Sequence, residues 1–434
     1  MTAPFTFDGA GDPHVTCERR MLPSGLDVIV HRDDDAPQVH VNVWYRAGSS
    51  DESPERTGLA HLFEHLFKNS AHIPSAHYDV LRRAGATDAN ASTSTDRTAY
   101  HETVPAHELE LALWLEADRM GYVLPGLTGE RLAKQQSVVR AERRQRYETV
   151  PYGTERFALA LALYPDGHPH RHLTIGTHEH IQAATLGDVE AFYRTWYVPA
   201  NACLVIAGDV GDDVWELVDR YFGGFPPSRR PERPQVAQPV LAAPVRTRVD
   251  DRFAVLARVH RVWHAPAAFA PDEPELAILA QTWCAVGTGP LWRRLVYERR
   301  LAQRVAAWTI AARLGGELHV AVDAMPGADL AEIRAILDDE CARGPDPAAI
   351  ARAVTRDEAG AIWALTSLAR RASLAQRYAF YTGTPDGLAA ELARQRAVTP
   401  ESIAAALRTW LASERMVEVE TVPRGHCLPE TSTE

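Results

Sequence analysis

Cysteine, lysine and long apolar runs are all scarce in this 434-residue chain, and each scarcity excludes a class of structure. The five cysteines are widely spaced and never form a CxxC pair, so we expect reduced thiols and neither a disulfide framework nor a thiolate zinc site. No run of about 18 apolar residues occurs, and the first 13 residues lack a charged start followed by an apolar run. We therefore expect no membrane span and no secretory leader.

Lysine occurs only at positions 68 and 134, so arginine supplies nearly all of the basic charge. This composition is typical of a GC-rich bacterial genome, and we expect a cytoplasmic bacterial protein. The net charge of −11 argues against a general nucleic-acid-binding protein. With 46% hydrophobic residues, the chain can form two or three domains with sizeable cores.

What the chain does contain is a short segment with metal ligands on one helical face. Residues 58–70 read GLAHLFEHLFKNS, and their apolar residues recur at the spacing of one side of a helix. His61, Glu64 and His65 fall on the opposite side. Two imidazoles one turn apart can ligate one zinc ion, and Glu64 between them can accept a proton from a zinc-bound water. Histidines at this spacing are more often ordinary surface or core residues. A catalytic zinc site has three protein ligands, so a third must come from elsewhere in the chain.

A second segment supplies a candidate for that third ligand. Residues 131–148 contain no glycine or proline and consist mostly of good helix formers, which predicts a helix. Gln135 and Glu142 are two turns apart, so both side chains should point the same way. Glu142 is then the candidate ligand, and Gln135 a candidate hydrogen-bonding partner of a ligating histidine. By itself, Glu142 is equally consistent with a solvated charge among neighbouring arginines.

The histidine motif followed by Glu142, 142 − 65 = 77 residues after His65, resembles the inverted zincin motif of the pitrilysin- and insulinase-type peptidases. Residues 90–100, 138–152 and 197–209 are similar to further segments of that family, in particular to its small bacterial and mitochondrial-processing-peptidase-like subunits. The resemblance implies an α+β fold of two homologous α/β domains, each a mixed sheet packed against helices, that together form one half of a clamshell peptidase.

For the site, the resemblance implies one zinc per chain, with His61, His65 and Glu142 as ligands and Glu64 as the catalytic base. Family chains usually carry glutamate at the position of Gln135. Glutamine keeps a hydrogen-bond acceptor but loses the negative charge, so we expect the properties of the zinc site to be adjusted and the site itself to be retained. Substrate binding is assigned by the resemblance to an edge strand that pairs with an extended peptide, through Asn90, Ala91 and Ser92. Their small side chains also suit an ordinary strand.

The segment 168–180 contains five histidines and could be mistaken for a metal cluster. It also contains a proline and a glycine, and its counterpart in the family is a loop near the active site that carries no ligands. We therefore do not expect a metal there.

An internal repeat predicts two domains. Residues 185–197 and 399–411 share a threonine and the run Arg-Thr-Trp at an offset of 399 − 185 = 214, and an apolar run follows each copy. The same offset places ELAIL, residues 275–279, opposite the histidine motif, so only the first copy is expected to bind metal. We predict a zinc-bearing domain at 1–225, a linker rich in proline and arginine at 226–247, and a metal-free homologous domain at 248–434.

The predicted second domain departs from the family pattern. Family chains that grip the substrate carry an arginine after a Gly-Ser-Ser-like turn and a tyrosine further on. Here the turn runs from Gly287 to Trp292, and the later position is Gln303, so both gripping residues are missing. Other side chains nearby could replace them or could simply be surface charges and packing residues, namely Arg293, Arg294, Tyr297 and Arg304.

Together these features predict a zinc metalloendopeptidase, and the family resemblance implies that it cleaves unfolded peptides or leader segments in an enclosed chamber. Because the gripping residues are missing, we expect this chain to be the catalytic subunit of a heterodimer with a homologous partner, in preference to a homodimer. The alternative is a non-catalytic scaffold or core-type subunit of a family complex, which the retained metal motif disfavours. A zinc amidase acting on small molecules would need neither the edge strand nor the second domain.

Overall fold

The structure of the protein, a computed structural model, describes residues 5–7, 11–68, 70, 72–73, 77–344 and 346–424. The chain divides into two compact units, each of which contains one mixed β-sheet with packed helices. The first unit comprises residues 1–140, 173–235 and 357–393, and the second comprises residues 141–172, 236–356 and 394–434. None of the helices in the described part of the chain has the length and apolar character needed to cross a lipid bilayer.

The first unit is organised around a six-stranded sheet. Its neighbouring strands are antiparallel except for one parallel pair, β4 with β8. Numbered along the chain and given in spatial order, the strands are β3 (Glu18–Met21), β4 (Asp27–Arg32), β8 (Ala202–Gly208), β5 (Gln38–Tyr45), β7 (Thr98–Pro105) and β6 (Thr87–Thr93). Two short strands, β1 (Phe5–Phe7) and β2 (Pro13–Val15), pair separately.

Both faces of this sheet are covered, because its central strands are apolar on both sides. Among the described residues of the first unit, the α-helices that lie wholly within it are α1 (Leu59–Leu66), α2 (His77–Arg83), α3 (Leu109–Tyr122), α6 (His178–Ala183), α7 (Leu186–Trp196), α8 (Val214–Phe222) and α13 (Leu368–Tyr381). Helix α13 packs on one face, where Ala372 and Ala379 belong to the same apolar cluster as Val205. Helices α1 and α3 lie on the other face.

The second unit is organised around a five-stranded sheet. Its spatial order is β11 (Ala302–Ala312), β12 (Gly315–Ala324), β10 (Arg258–Ala265), β13 (Met416–Pro423) and β9 (Val245–Asp251), with only β13 and β9 parallel. Its helices are α5 (Glu155–Leu163), α9 (Glu273–Cys284), α10 (Pro290–Trp292), α11 (Leu330–Arg343) and α15 (Pro400–Trp410). Helices α4 (Gly129–Arg143), α12 (Pro347–Ala364) and α14 (Leu388–Arg396) contain residues of both units.

The internal repeat is visible in how two helices begin. The Thr185 hydroxyl accepts from the Asp188 amide at the start of α7, at 3.1 Å, and the Thr399 hydroxyl accepts from the Ser402 amide at the start of α15, also at 3.1 Å. Each threonine satisfies a backbone donor that the first helical turn leaves open. A sheet strand follows in each case, β8 and β13. The two mixed sheets with packed helices confirm the predicted α+β fold.

Some predicted boundaries differ from the structure. The first site helix ends at Leu66, earlier than expected, and the second ends as an α-helix at Arg143 and continues as one wider π-helical turn to Glu148. Residues 226–244 of the predicted linker have no regular secondary structure, and β9 begins at Val245. The predicted domain boundaries themselves remain a prediction. Cys427 lies outside the described residues, and the other four cysteines are free thiols.

Candidate active site

Helix α1 begins at a position that its backbone and one acidic side chain define together. Gly58 precedes the helix with φ +88°, and a Cβ there would lie 2.9 Å from the Cα of Gly176, so a larger residue is excluded by conformation and by space. The buried carboxylate of Glu52 accepts from the amides of Gly58, at 2.8 Å, and Ala60, at 2.6 Å. A negative group at a helix N-terminus satisfies open donors and complements the helix dipole.

The apolar side of α1 is anchored in an aromatic cluster. The ring centroid of Phe63 lies 4.2 Å from that of Tyr197, and that of Phe67 lies 5.0 Å from Tyr100 and 5.6 Å from Tyr45. Burial raises the pKa of all three tyrosines well above the ordinary value, so they stay neutral. The cluster fixes the rotation of α1 about its own axis, which sets the direction of the opposite side.

That opposite side carries the predicted metal ligands. His61, Glu64 and His65 each offer a ligand atom, and these atoms all lie within 4.8 Å of one another. The two imidazole rings are 4.8 Å apart at an interplanar angle of 82°. His61 and Glu64 are only 8% and 6% exposed, whereas His65 is half-buried, so this side of the helix is largely shielded and reaches solvent at His65. The two imidazoles are donors suited to zinc, and the carboxylate of Glu64 lies close enough to serve as the predicted base.

Glu64 has a partner that the sequence did not reveal. The hydroxyl of Thr93, the last residue of β6, donates to Oε2 of Glu64 at 2.6 Å. Strand alternation alone groups Thr93 with Ala91 on one face of the strand, but it does not say which face meets α1. The sequence prediction ended one residue earlier, at Ser92.

The predicted peptide-binding residues lie on an edge strand. Asn90, Ala91 and Ser92 pair with β7 on one side, and no strand in the described ranges pairs along the other side of β6. Asn90 and Ser92 are exposed, and the Ser92 hydroxyl lies 3.1 Å from Nη1 of Arg97. The backbone at this edge is therefore placed where an extended chain could pair with it.

Gln135 and Glu142 both lie on α4. Gln135 lines a small cavity together with Leu66, the last residue of α1. Glu142 follows two turns later within the same helix, is 18% exposed and lies 3.1 Å from Nη1 of Arg146. Glu142 belongs to the second unit, whereas His61 and His65 belong to the first. Its part in zinc binding therefore remains a prediction.

The histidine-rich segment makes local structural contacts. His168 stacks on Tyr164, with centroids 4.6 Å apart, and its Nδ1 accepts from the His170 amide at 3.1 Å. Burial, with help from neighbouring His170, lowers the pKa of His168 to about 4. In the first unit, Nδ1 of His180 lies 2.8 Å from the Thr57 hydroxyl, just before α1.

The candidate substitutes for the gripping residues are mostly engaged locally. Arg293 pairs with Glu298 at 2.9 Å, and Arg294 pairs with Asp339 at 2.7 Å. Tyr297 is 70% exposed and stacks beside Trp292. Gln303 lies at an irregularity of β11, where the pairing with β12 shifts register. These contacts account for both arginines as surface ion pairs.

Two family models match the chain and together cover more than half of it. One, described as insulinase (peptidase family M16), matches residues 27–154, and the other, described as the peptidase M16 inactive domain, matches residues 183–356. The chain belongs to the M16 peptidase family. This membership confirms the predicted pitrilysin and insulinase resemblance, and the first match contains the whole histidine motif and Glu142.

Relatives within the family are zinc proteases, the enzyme class that the sequence predicts. The chain is 30% identical over 294 residues to the zinc protease PqqE of Helicobacter pylori, a match that covers 65% of this chain and 64% of that protein. It spans about half the length of two further bacterial relatives named as zinc proteases.

Solved structures show the same fold. A protease from Helicobacter pylori superimposes with a TM-score of 0.86 at 24% identity, covering 94% of this chain and 99% of that one. The periplasmic protease PqqL from Escherichia coli superimposes with a TM-score of 0.75 at 16% identity, covering 94% of this chain but only 47% of PqqL. The fold of this chain therefore corresponds to one half of that protein.

Proposed function

We propose that this M16 chain is a zinc-dependent endopeptidase that cleaves unfolded peptides or leader segments and acts as the catalytic subunit of a two-chain enzyme. The observation that carries the proposal is the group of His61, Glu64 and His65 on one helix, the first two buried and the third half-buried, with Glu64 held by a hydrogen bond from the neighbouring edge strand. A chain that served only as a scaffold would not need to keep this group.

The residues divide the chemistry among them. His61 and His65 would hold zinc, with Glu142 as the proposed third ligand and Gln135 near the helix end as a supporting hydrogen-bonding group. When bound, zinc supplies Lewis-acid chemistry, which acidifies a water molecule and polarises a carbonyl oxygen. Glu64 accepts the proton of the attacking water and returns it to the leaving amine.

Helical periodicity supports Glu142 as the third ligand. Gln135 and Leu66, the last residue of α1, line one small cavity, and Glu142 follows Gln135 by seven residues in the same continuous helix. Seven residues are close to two full turns, so the two side chains share one face of α4.

The substrate class follows from the edge strand. A peptide that pairs with Asn90, Ala91 and Ser92 must be extended, because β-augmentation uses the backbone groups of both partners. Folded proteins keep most of their backbone groups paired, whereas unfolded peptides and leader segments offer free backbone groups along their whole length. Small side chains along β6 leave room for varied substrate side chains.

A partner chain and a cellular compartment complete the proposal. The fold corresponds to half of PqqL, and Arg293 and Arg294 are engaged in local ion pairs, so we assign the missing gripping residues to a homologous partner subunit. The cytoplasmic location stays a prediction from the sequence.

Replacing the proposed base tests the function. We expect Glu64→Gln to retain zinc, since the histidines are intact, and to lose cleavage of an unstructured peptide by roughly 10²- to 10⁴-fold. Zinc content is measured by elemental analysis and cleavage by mass spectrometry. Glu55→Gln, an exposed glutamate nearby, serves as the matched control. Substantial cleavage by Glu64→Gln would refute the proposal.

A further inference from the structure

The hydroxyl of Thr93 is committed to Glu64 by its surroundings. Its distance to Oε2 of Glu64 is 2.6 Å, whereas the hydroxyl of Thr98, directly opposite on β7, is 3.5 Å away. Thr98 donates its own proton to the carbonyl of Ala47 at 2.9 Å. The single proton of Thr93 therefore goes to the carboxylate, which is both the closer and the stronger acceptor.

Thr93 is also well suited to hold a carboxylate still. Its branched Cβ restricts χ1, and its backbone is paired with that of Thr98 across the two strands. Glu64 is itself only 6% exposed and belongs to a helix anchored by its capping carboxylate and aromatic cluster. A short bond between two such groups fixes the plane of the carboxylate.

The position of Thr93 along the chain links the base to the substrate strand. Asn90, Ala91 and Ser92 come immediately before it in β6, whose outer edge is proposed to pair with the peptide. Pairing would immobilise the backbone that carries Thr93, because a strand hydrogen-bonded on both sides has less freedom than an edge strand.

We propose that Thr93 is a positioning residue for Glu64, and that its hydroxyl couples the orientation of the general base to peptide pairing on β6. This inference rests on the proposed peptidase function. With Oε2 held by Thr93, Oε1 is the oxygen that accepts the proton of the attacking water. Thr93 itself contacts neither the peptide nor the metal in this scheme.

The coupling predicts a specific kinetic signature. Thr93→Val keeps the shape and the backbone pairing of the strand but removes the hydroxyl. We expect kcat to fall by roughly 10- to 100-fold with KM changed less than about two-fold, because the loss concerns the chemical step rather than peptide binding. Thr93→Ser restores a hydroxyl and should recover most of kcat, although its side chain is less restricted.

The experiment compares wild type, Thr93→Val and Thr93→Ser, loaded with zinc in the assembly in which the wild type is active. Thr87→Val, an exposed threonine at the other end of β6, is the control for the same substitution on the same strand. Zinc content and melting temperature are measured for every variant. In the inactive Glu64→Gln background, adding Thr93→Val should leave the affinity for the peptide unchanged.

Each possible result either supports or overturns the proposed role of Thr93. A kcat for Thr93→Val within two-fold of wild type, an effect confined to KM, or no recovery by Thr93→Ser would overturn the inference. If Thr93→Val does not fold, the same comparison between Thr93→Ala and Thr93→Ser applies. A wild type that cleaves no peptide would instead defeat the proposed function, and a wild type that cleaves while Thr93→Val is unaffected defeats only the role of Thr93.

Discussion

At the scale of single residues, Glu52 connects the stability of the chain with metal binding. Its buried carboxylate accepts from two amides at the start of α1, and His61 follows within the first turn of that helix. A helix start that loses its capping group frays, and fraying here would move the first zinc ligand.

We predict that Glu52→Ala lowers the free energy of unfolding by about 1–3 kcal/mol, because two buried amides lose their acceptor. Zinc affinity should also fall, by roughly ten-fold or more, since the groups that orient metal ligands contribute on that scale. Chelator competition and urea unfolding measure the two effects. Glu55→Ala removes an exposed glutamate three residues away and should change neither. Unchanged zinc affinity in Glu52→Ala would show that α1 needs no such cap.

The residues of the site differ in how readily the sequence discloses them. His61, Glu64 and His65 could be predicted because they lie within one helical turn and a half, where spacing alone places side chains together. Thr93 and Glu52 could not, since their contacts with α1 depend on how a strand and a loop pack against that helix. For Glu142 the spacing supplies only its place on α4, and its role as third ligand remains a prediction from the family resemblance.

At the scale of elements, a buried chain of hydrogen bonds joins α5 to the second sheet. His260 contacts Glu155 through Nδ1 and His319 through Nε2, the latter at 3.1 Å. His319 reaches Glu317 at 2.9 Å, and Glu317 accepts from the Tyr164 hydroxyl at 2.7 Å. Glu155 is the first residue of α5 and Tyr164 follows its last residue, whereas the other three residues lie on β10 and β12.

Burial and hydrogen bonding determine the charges of His260 and Glu317. Burial lowers the pKa of His260, so that ring is neutral and donates only to Glu155. Burial would raise the pKa of Glu317, but hydrogen bonds from His319 and Tyr164 lower it to about 2, so it is an ionised acceptor. His319 lies between His260 and Glu317, within hydrogen-bond distance of both. Its ring stacks on Trp308, with centroids 4.9 Å apart.

We predict that Glu317 stabilises the fold in a pH-dependent way. Because its pKa is lowered from about 4.3 in an unfolded chain, its contribution is complete above that value and disappears as pH falls toward 2. Glu317→Gln should therefore cost about 2 kcal/mol at pH 7 and much less near pH 2.5. Urea unfolding of both proteins across this range checks it, with Glu401→Gln on the exposed surface of α15 as control. A cost that is the same at both pH values would contradict the charge assignment.

The elements were predictable where a local pattern governs them. The repeated threonine caps, the helices that follow them and the apolar strands after those helices all follow from short-range signals. The pairing of β9 with β13 could not be predicted from short-range signals. Strand β9 alternates exposed and half-buried residues directly after an irregular proline-rich stretch, and its partner strand lies far along the chain. The wide turn after Arg143 likewise has no local signature in residues 144–148.

At the scale of the whole molecule, the two sheets repeat one plan. In each, a single parallel pair, β4 with β8 and β9 with β13, is followed by three antiparallel strands in equivalent order. The edge strands β6 and β11 correspond in this order, but the ligand-bearing helix of the first copy has no equivalent cluster in the described part of the second. Both units therefore contain the same sheet scaffold, and the histidine motif lies in the first unit.

This arrangement leads to a prediction about assembly. We expect the isolated 47.9 kDa chain to bind one zinc and to cleave an unstructured peptide at least about ten-fold more slowly than the same chain mixed with a homologous partner that carries the gripping arginine and tyrosine. The reason is that positioning the peptide across two chains lowers the barrier only when both are present. Native mass spectrometry reports zinc content and stoichiometry, and the cleavage assay is run on the same samples.

As control, Glu64→Gln mixed with the partner should form the same complex and remain inactive, which shows that the activity comes from this chain. If the chain alone matches the mixture, or closes as an active homodimer, the partner is unnecessary, and peptide gripping must then come from within this chain or from its second copy.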